Sequence, residues 1–503
     1  MLKRSFLHVI LLILLIAVAV GEAAAATPSP TDATPPSSAG DDLAAYQPAL
    51  KPEFADDVYR LPGASRYDIQ VRLVPGDSPR LIGQVTVLYT NSESEPLQQI
   101  VFRLYPNLPE YGGSMTVSAV AVNGVPTTPT YSAGQSALAV SLVPSLAPGR
   151  AVTLTLDYEA TLPTDNRSGY AVFAYTDEVY ALAGFYPTIP VYDAEGWNVE
   201  VSPPYGDVTY TDAAFYRVQL TAPAQLVPVT SGKVVDTAVN GDDTCTWTAV
   251  AALVRDFYIA LSADYRLFSE ETNGTRVNAY YRPGNEEGGQ RALRSTLQAL
   301  RLFDDRFGPY PYDELDVVPT PTTAGGIEYP GVIVISQGLY DDQGAYFDLV
   351  VAHEAAHQWW YGLVGSDQLD APWLDESLAN YSMYVYFQAT KPAEEADKIK
   401  QMAFLDAYRD LQQNHLDRAV GGPVAGFNSQ SDYVAVVYGK GPLFFDAVRE
   451  RLGDDVFFAA LRRYVAQHRY GVAYAGDLIA AFEDVSGQSV DDLYRAWILG
   501  IQP

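Results

Sequence analysis

Cysteine is almost absent: Cys245 stands alone among 503 residues, so no intramolecular disulfide can form. Cys-rich zinc modules and Cys-based redox pairs are excluded with it. Positive charge is also scarce, with 32 Lys+Arg against 61 Asp+Glu and a formal net charge of −29. A surface this acidic repels a phosphate backbone, which excludes nucleic acid as a main partner. Histidine appears only five times, so its positions are informative. One long apolar run exists, Val9 to Val20, behind Lys3 and Arg4 and ahead of Ala23-Ala24-Ala25. That is the pattern of an export signal over residues 1–25, and the expectation is an exported protein, secreted or held at the cell envelope. The run is short of the roughly 20 apolar residues of a spanning helix, so an uncleaved N-terminal anchor is the only membrane insertion to expect.

What is present divides the chain. Residues 26–52 are rich in Pro, Ala, Ser and Thr and read as a linker. From 53 to 262 the apolar residues alternate with polar ones, as in Tyr67, Ile69, Val71, Leu73 and again in Val152, Leu154, Leu156, Tyr158. Turn pairs such as Asn123-Gly124 separate these runs. The expectation is an all-β domain of stacked sheets. Near residue 285 the period changes: Leu293, Leu297, Leu300, Phe303 and Phe307 mark one helical face that stops at Gly308. A short β stretch follows, Asp316 to Ser336, and the rest is helical, with Pro442 and Gly453 bracketing one helix. Residues 263–503 therefore read as an α+β domain, mostly helical in its second half.

The chemistry concentrates at His353-Glu354-Ala355-Ala356-His357. On a helix, residues at i and i+4 share a face, so both imidazoles can reach one metal while Glu354 reaches a neighbouring water. A catalytic zinc needs a third protein ligand and an open position. Glu376, 19 positions beyond His357, allows a loop and a returning helix, but spacing alone leaves Asp370 and Asp375 as rivals.

With these residues in view, the chain resembles the gluzincin zinc aminopeptidases, the family of aminopeptidase N and leukotriene hydrolase. The family's W-L-N-E-G-F-A segment is matched by WLDESLA, Asp375 and Ser377 replacing the usual Asn and Gly. The resemblance implies His353, His357 and Glu376 as ligands of one zinc per chain, and Glu354 as general base. Gly325-Gly326-Ile327-Glu328-Tyr329 resembles the family's G-A-M-E-N strand, whose glutamate holds the substrate's α-amine and whose backbone pairs with the peptide. Glu328, Gly325 and Gly326 are thereby implied as substrate-binding, with Tyr329 in place of the usual Asn. Tyr438-Gly439-Lys440-Gly441 resembles the family's Y-x-K-G segment, which implies Tyr438 as the oxyanion donor. The implied fold is an N-terminal β-sandwich-like domain followed by a thermolysin-like peptidase domain. The last helices end by Pro503, so the family's large C-terminal helical domain is expected to be missing and the cleft open.

The function implied is a zinc-dependent aminopeptidase acting on peptides; the alternatives are a zinc metalloendopeptidase, or an inactive peptide-binding scaffold. Asp177 and Glu178 lie near the place where the family's β domain adds a second group to the amine site. Asn380, one turn after Glu376, is a candidate partner of a metal ligand. Trp359 and Trp360 read as core or pocket wall, and His415 and His468 as lying outside the site.

Overall fold

The computed structural model describes residues 43–342 and 344–501. The expected export signal and the linker up to residue 42 lie outside them. Among the described residues no helix is long and apolar enough to cross a membrane.

The alternating segments become an eight-stranded sheet. Its order is Lys233–Val239, Thr244–Val254, Ala214–Pro223, Arg66–Val74, Arg80–Thr90, Ala151–Thr161, Ser114–Val122, Val125–Thr127. Every second residue of Ala151–Thr161 points inward, so that Val152, Leu154, Leu156, Tyr158 and Ala160 are all buried. Asn123 and Gly124 both take positive φ, 49° and 78°, the left-handed pair that a two-residue hairpin turn requires. A three-stranded sheet around Ala137–Leu146, a four-stranded sheet containing Ile259–Ser262 and the two-stranded pair Tyr192–Asp193 with Gly196–Trp197 complete this part.

One boundary moves. Leu43–Ala49, read from composition as linker, is packed 3-10 structure, and Leu43, Ala49 and the following Leu50 are buried. Tyr46 lies against Phe215, ring centroids 4.9 Å apart, and Lys51 N–H donates to the Pro311 carbonyl at 2.8 Å.

The second part is a five-stranded sheet, Arg266–Thr272, Thr275–Tyr281, Glu314–Thr320, Val332–Ser336, Gly326–Tyr329, backed by helices. Helix α1, Glu286–Phe307, buries Leu297, Leu300, Phe303 and Phe307 along one face and ends at Gly308, φ 108°. Helix α2, Ala345–Ala356, and helix α3, Glu376–Thr390, pack on each other and on α1. The strand Gly326–Tyr329 is at the sheet edge, antiparallel to Val332–Ser336. Ser336 N–H donates to the Gly325 carbonyl at 2.9 Å. Because antiparallel bonding alternates, the main-chain groups of Gly326 and Glu328 then face the free edge, beside the zinc-motif helix.

Candidate metal centre and its cleft

Helix α2 stops at Ala356, so His353 sits in its last turn and His357 is its C-cap. The end of α2 is pinned by three side chains. Gln358 Nε2 donates to the Tyr329 carbonyl at 3.1 Å, tying the motif to the edge strand. Trp359 Nε1 donates to the Gly308 carbonyl at 2.8 Å, and Trp360 Nε1 to Ser382 Oγ on α3 at 2.9 Å. Both indoles are core, as expected.

Glu376 opens α3, and of the three acids that spacing could not separate it is the one grouped with the two histidines. His353 Nε2 and His357 Nε2 stand 3.0 Å apart. Glu376 Oε2 lies 3.2 Å from the first and 3.4 Å from the second. Tetrahedral ligands at zinc distances stand roughly 3.3 Å from one another, so these three atoms already occupy three corners of such a site. Glu376 Oε2 is buried and takes part in no hydrogen bond of good geometry, an orphan that a cation would satisfy. Burial alone would lower the His357 pKa, but Asp375, Glu328 and Glu376 around it hold the imidazole well above its ordinary value. These carboxylates call for positive charge in their midst. The residues present fit a zinc ion.

Asp375 lies outside this group of three. Its Oδ1 accepts from His357 Nδ1 at 2.6 Å, while its Oδ2 accepts from Gln368 Nε2 at 2.5 Å. Asp370 is exposed.

Glu354 is 5% exposed and its Oε2 is likewise unpartnered. It packs so closely on the edge strand that a Cβ at Gly326 would meet its Cγ at 2.5 Å; only glycine fits there. Burial, then the charge of Glu328, pushes the Glu354 carboxyl well above the usual range. Glu328 is itself pushed up to about 8, chiefly by burial. Carboxylate oxygens of Glu328 and Glu354 and a nitrogen of His357 lie within 4.8 Å of one another.

Tyr438 sits in a π-helical turn, Val434–Lys440, a distortion that recurs at functional sites. Its hydroxyl donates to Glu376 Oε1, and its ring faces His353 at 5.8 Å between centroids. Burial, then the neighbouring Glu376, raises its pKa well above the ordinary phenol value, so it stays a donor. The Asn380 side-chain amide bonds the Tyr438 turn. Its Nδ2 donates to the Tyr438 carbonyl at 2.6 Å and so positions that turn. Ser377 Oγ donates to the Val437 carbonyl at 2.6 Å for the same purpose, and a Cβ at Gly441 would strike that Oγ.

The expected second group of the amine site is elsewhere. Asp177 and Glu178, both at positive φ, form the tip of the hairpin between Phe173–Thr176 and Val179–Leu182. Asp177 accepts from Gln337, Glu178 from Arg282, and neither lines the cleft. Asp207 does. One of its carboxylate oxygens and those of Glu328 and Glu376 lie within 4.8 Å of one another. It arrives on the irregular stretch 198–213, which carries no periodicity for sequence reasoning to find; the acid next to Gly206 was the only signal. His415 and His468 lie outside the cleft, as expected.

His353, Glu354, Glu376, Glu328, Asp207 and Tyr438 line one cavity of about 580 Å³. Among the described residues six carboxyl side chains border it (Glu110, Asp207, Asp256, Glu328, Glu354, Glu376), and no Lys or Arg does. A cationic group is welcome at such a wall and an anionic one is not.

A family profile described as "Peptidase family M1 domain" matches residues 291–497. Over these residues the chain is similar to the peptidase family M1 domain. The match begins in α1 and takes in every implied ligand, the motif acid Glu354 and Tyr438. Among curated proteins, Aminopeptidase 2 of Candida albicans is 27% identical over 305 residues, 57% of this chain and 32% of that one. Aminopeptidase M1-B of Oryza sativa subsp. japonica is 28% identical over 304 residues, 56% of this chain and 34% of its own. The chain thus spans about a third of the length of these relatives. Among solved structures, an M1 zinc metallopeptidase from Deinococcus radiodurans superposes with a TM-score of 0.68 at 21% identity, covering 86% of this chain and 93% of its own. That likeness shows the fold: a β-rich first part followed by the M1 domain.

Proposed function

We propose that this chain is a zinc-dependent aminopeptidase that removes residues from the free N-terminus of peptides. The observation that carries the reading is the convergence of His353, His357 and Glu376 beside a sheet edge that carries the buried acid Glu328. Zinc held by the three ligands would act as a Lewis acid, easing deprotonation of water and stabilising charge on the scissile carbonyl oxygen. Glu354 is placed to hold the water's proton on its unpartnered Oε2 and to return it to the leaving amine. The Tyr438 hydroxyl, now spent on Glu376 Oε1, is the neutral donor that would turn to the carbonyl oxygen as charge develops there. An extended peptide adds to the free edge at Gly326 and Glu328, which fixes the scissile bond relative to the ligands. Glu328 and Asp207 bracket the α-ammonium. An ammonium between them draws the raised Glu328 back to its charged form. The basic start and single apolar run of residues 1–25 support an exported enzyme.

Zinc-loaded protein is expected to release free amino acid from unblocked aminoacyl amides, to lose that activity on chelation, and to regain it with zinc. A zinc-loaded protein that releases no N-terminal residue from a broad panel of such substrates overturns the reading.

A further inference from the structure

The β-rich part sends a second segment into the cleft besides the one carrying Asp207. Gly169-Tyr170-Ala171 forms a tight turn after Ser168, with Tyr170 at φ 45° and Ala171 at φ 56°, left-handed values that few side chains adopt. Gly169 cannot be replaced, because a Cβ there would lie 2.1 Å from the Glu110 carbonyl oxygen. A strained turn of this kind persists only where its surroundings hold it.

Three bonds from the M1 part do so. The Tyr170 carbonyl accepts from Thr322 Oγ1 at 2.6 Å and from the Thr323 N–H at 3.3 Å. The Tyr170 hydroxyl accepts from Gln430 Nε2 at 2.9 Å. Thr322 and Thr323 lead into the edge strand, and Gln430 begins the short helix that runs on to the Tyr438 turn. Tyr170 therefore bridges the two walls of the cavity, the strand wall and the Tyr438 wall, and its ring lies in the cavity lining with Gln430.

The direction of the substrate gives the bridge a meaning. A peptide pairing antiparallel to the edge strand, its amine at Glu328, runs past Gly326 and then towards Thr323 as its sequence proceeds. That is the end of the edge that Tyr170 caps.

We propose that Tyr170, tied at its carbonyl to Thr322–Thr323 and at its hydroxyl to Gln430, is a length gauge that closes the far end of the cleft and restricts the site to short peptides. The proposal rests on the aminopeptidase reading above and adds the substrate class to it. A dipeptide or tripeptide lies wholly between Glu328 and the bar. A longer chain must break the Tyr170–Gln430 bond or lift the strained turn to pass.

The test compares zinc-loaded wild type, Tyr170→Ala and Gln430→Ala on free-amine peptides sharing one N-terminal residue, from a dipeptide to a decapeptide. Wild type is expected to favour the short members by roughly tenfold or more in kcat/KM. Both variants should shrink that preference by raising kcat/KM on the long members, a gain that general damage to the fold does not produce. Gln430 is exposed, so its variant opens the bridge without disturbing the turn. Equal use of short and long peptides by wild type, or an unchanged preference in both variants, overturns the gauge and leaves the aminopeptidase standing. Failure of wild type to release the first residue from any member overturns both.

Discussion

His357 Nδ1 and Asp375 Oδ1 stand 2.6 Å apart with both side chains sealed from solvent. The bond leaves the His357 Nε2 lone pair aimed at His353 and Glu376 and makes the ring a stronger donor to a cation. Partners of this kind contribute 10–100-fold to metal affinity. Asp375→Ala is expected to weaken zinc binding by about that factor in chelator competition, with Asp375→Asn between it and wild type because the amide can still accept. Unaltered zinc affinity in the Ala variant would show that the contact is packing only.

Glu354→Gln should retain zinc and lose nearly all turnover, since an amide cannot take the proton. Tyr438→Phe should retain zinc while kcat falls by roughly 10²–10³, the usual effect of losing one oxyanion donor. A Phe variant with wild-type kcat would remove the hydroxyl from the reaction.

Asp207→Ala should lower kcat/KM on free-amine substrates by roughly 10–100-fold at full zinc content, from loss of one charge-assisted contact. Aminoacyl substrates lacking the amine should be affected far less. Equal losses on both classes would place Asp207 outside amine recognition.

Asp256 offers a pH test away from the metal ligands. Burial pushes its carboxyl up to about 7, against the opposing pull of the Tyr361 hydroxyl and Arg255. Between the ordinary value of 3.8 and that value, the folded chain holds a proton that the unfolded chain has released. Stability therefore falls as pH rises through this window. Asp256→Asn cannot lose that proton, so it should be more stable than wild type at pH 8, on the order of 1–3 kcal/mol, and not at pH 4. Parallel melting curves at both pH values would contradict it.

Much of this architecture was legible in the residues, for definite reasons. Period-two runs marked the β part because one face of each strand is buried, and Leu293 to Phe307 marked α1 because one helical face is. The His pair and Glu354 were legible because helix geometry alone brings them together. Asp375 and Glu376 were not separable, since adjacent residues at a helix start differ only in which way the chain enters it. Asp207 was invisible because an irregular loop delivers it across the domain boundary. Asp177 and Glu178 misled because nearness in sequence says nothing about a hairpin tip that turns away. Leu43 to Pro52 looked like linker by its Pro and Ala content, while Leu43, Tyr46 and Leu50 were the anchors that mattered.

If Glu328 reads a free α-amine, the metal site is an exopeptidase. One peptide in free and N-acetylated forms, given to zinc-loaded wild type and Glu328→Ala with products read by mass, tests it most directly. The expected result is stepwise loss of residues from the free peptide only. Glu328→Ala should lose roughly 30- to 1,000-fold on that form, from about 2–4 kcal/mol of lost contact. Internal cleavage of the acetylated peptide at a rate similar to the free one would contradict it and leave a zinc endopeptidase.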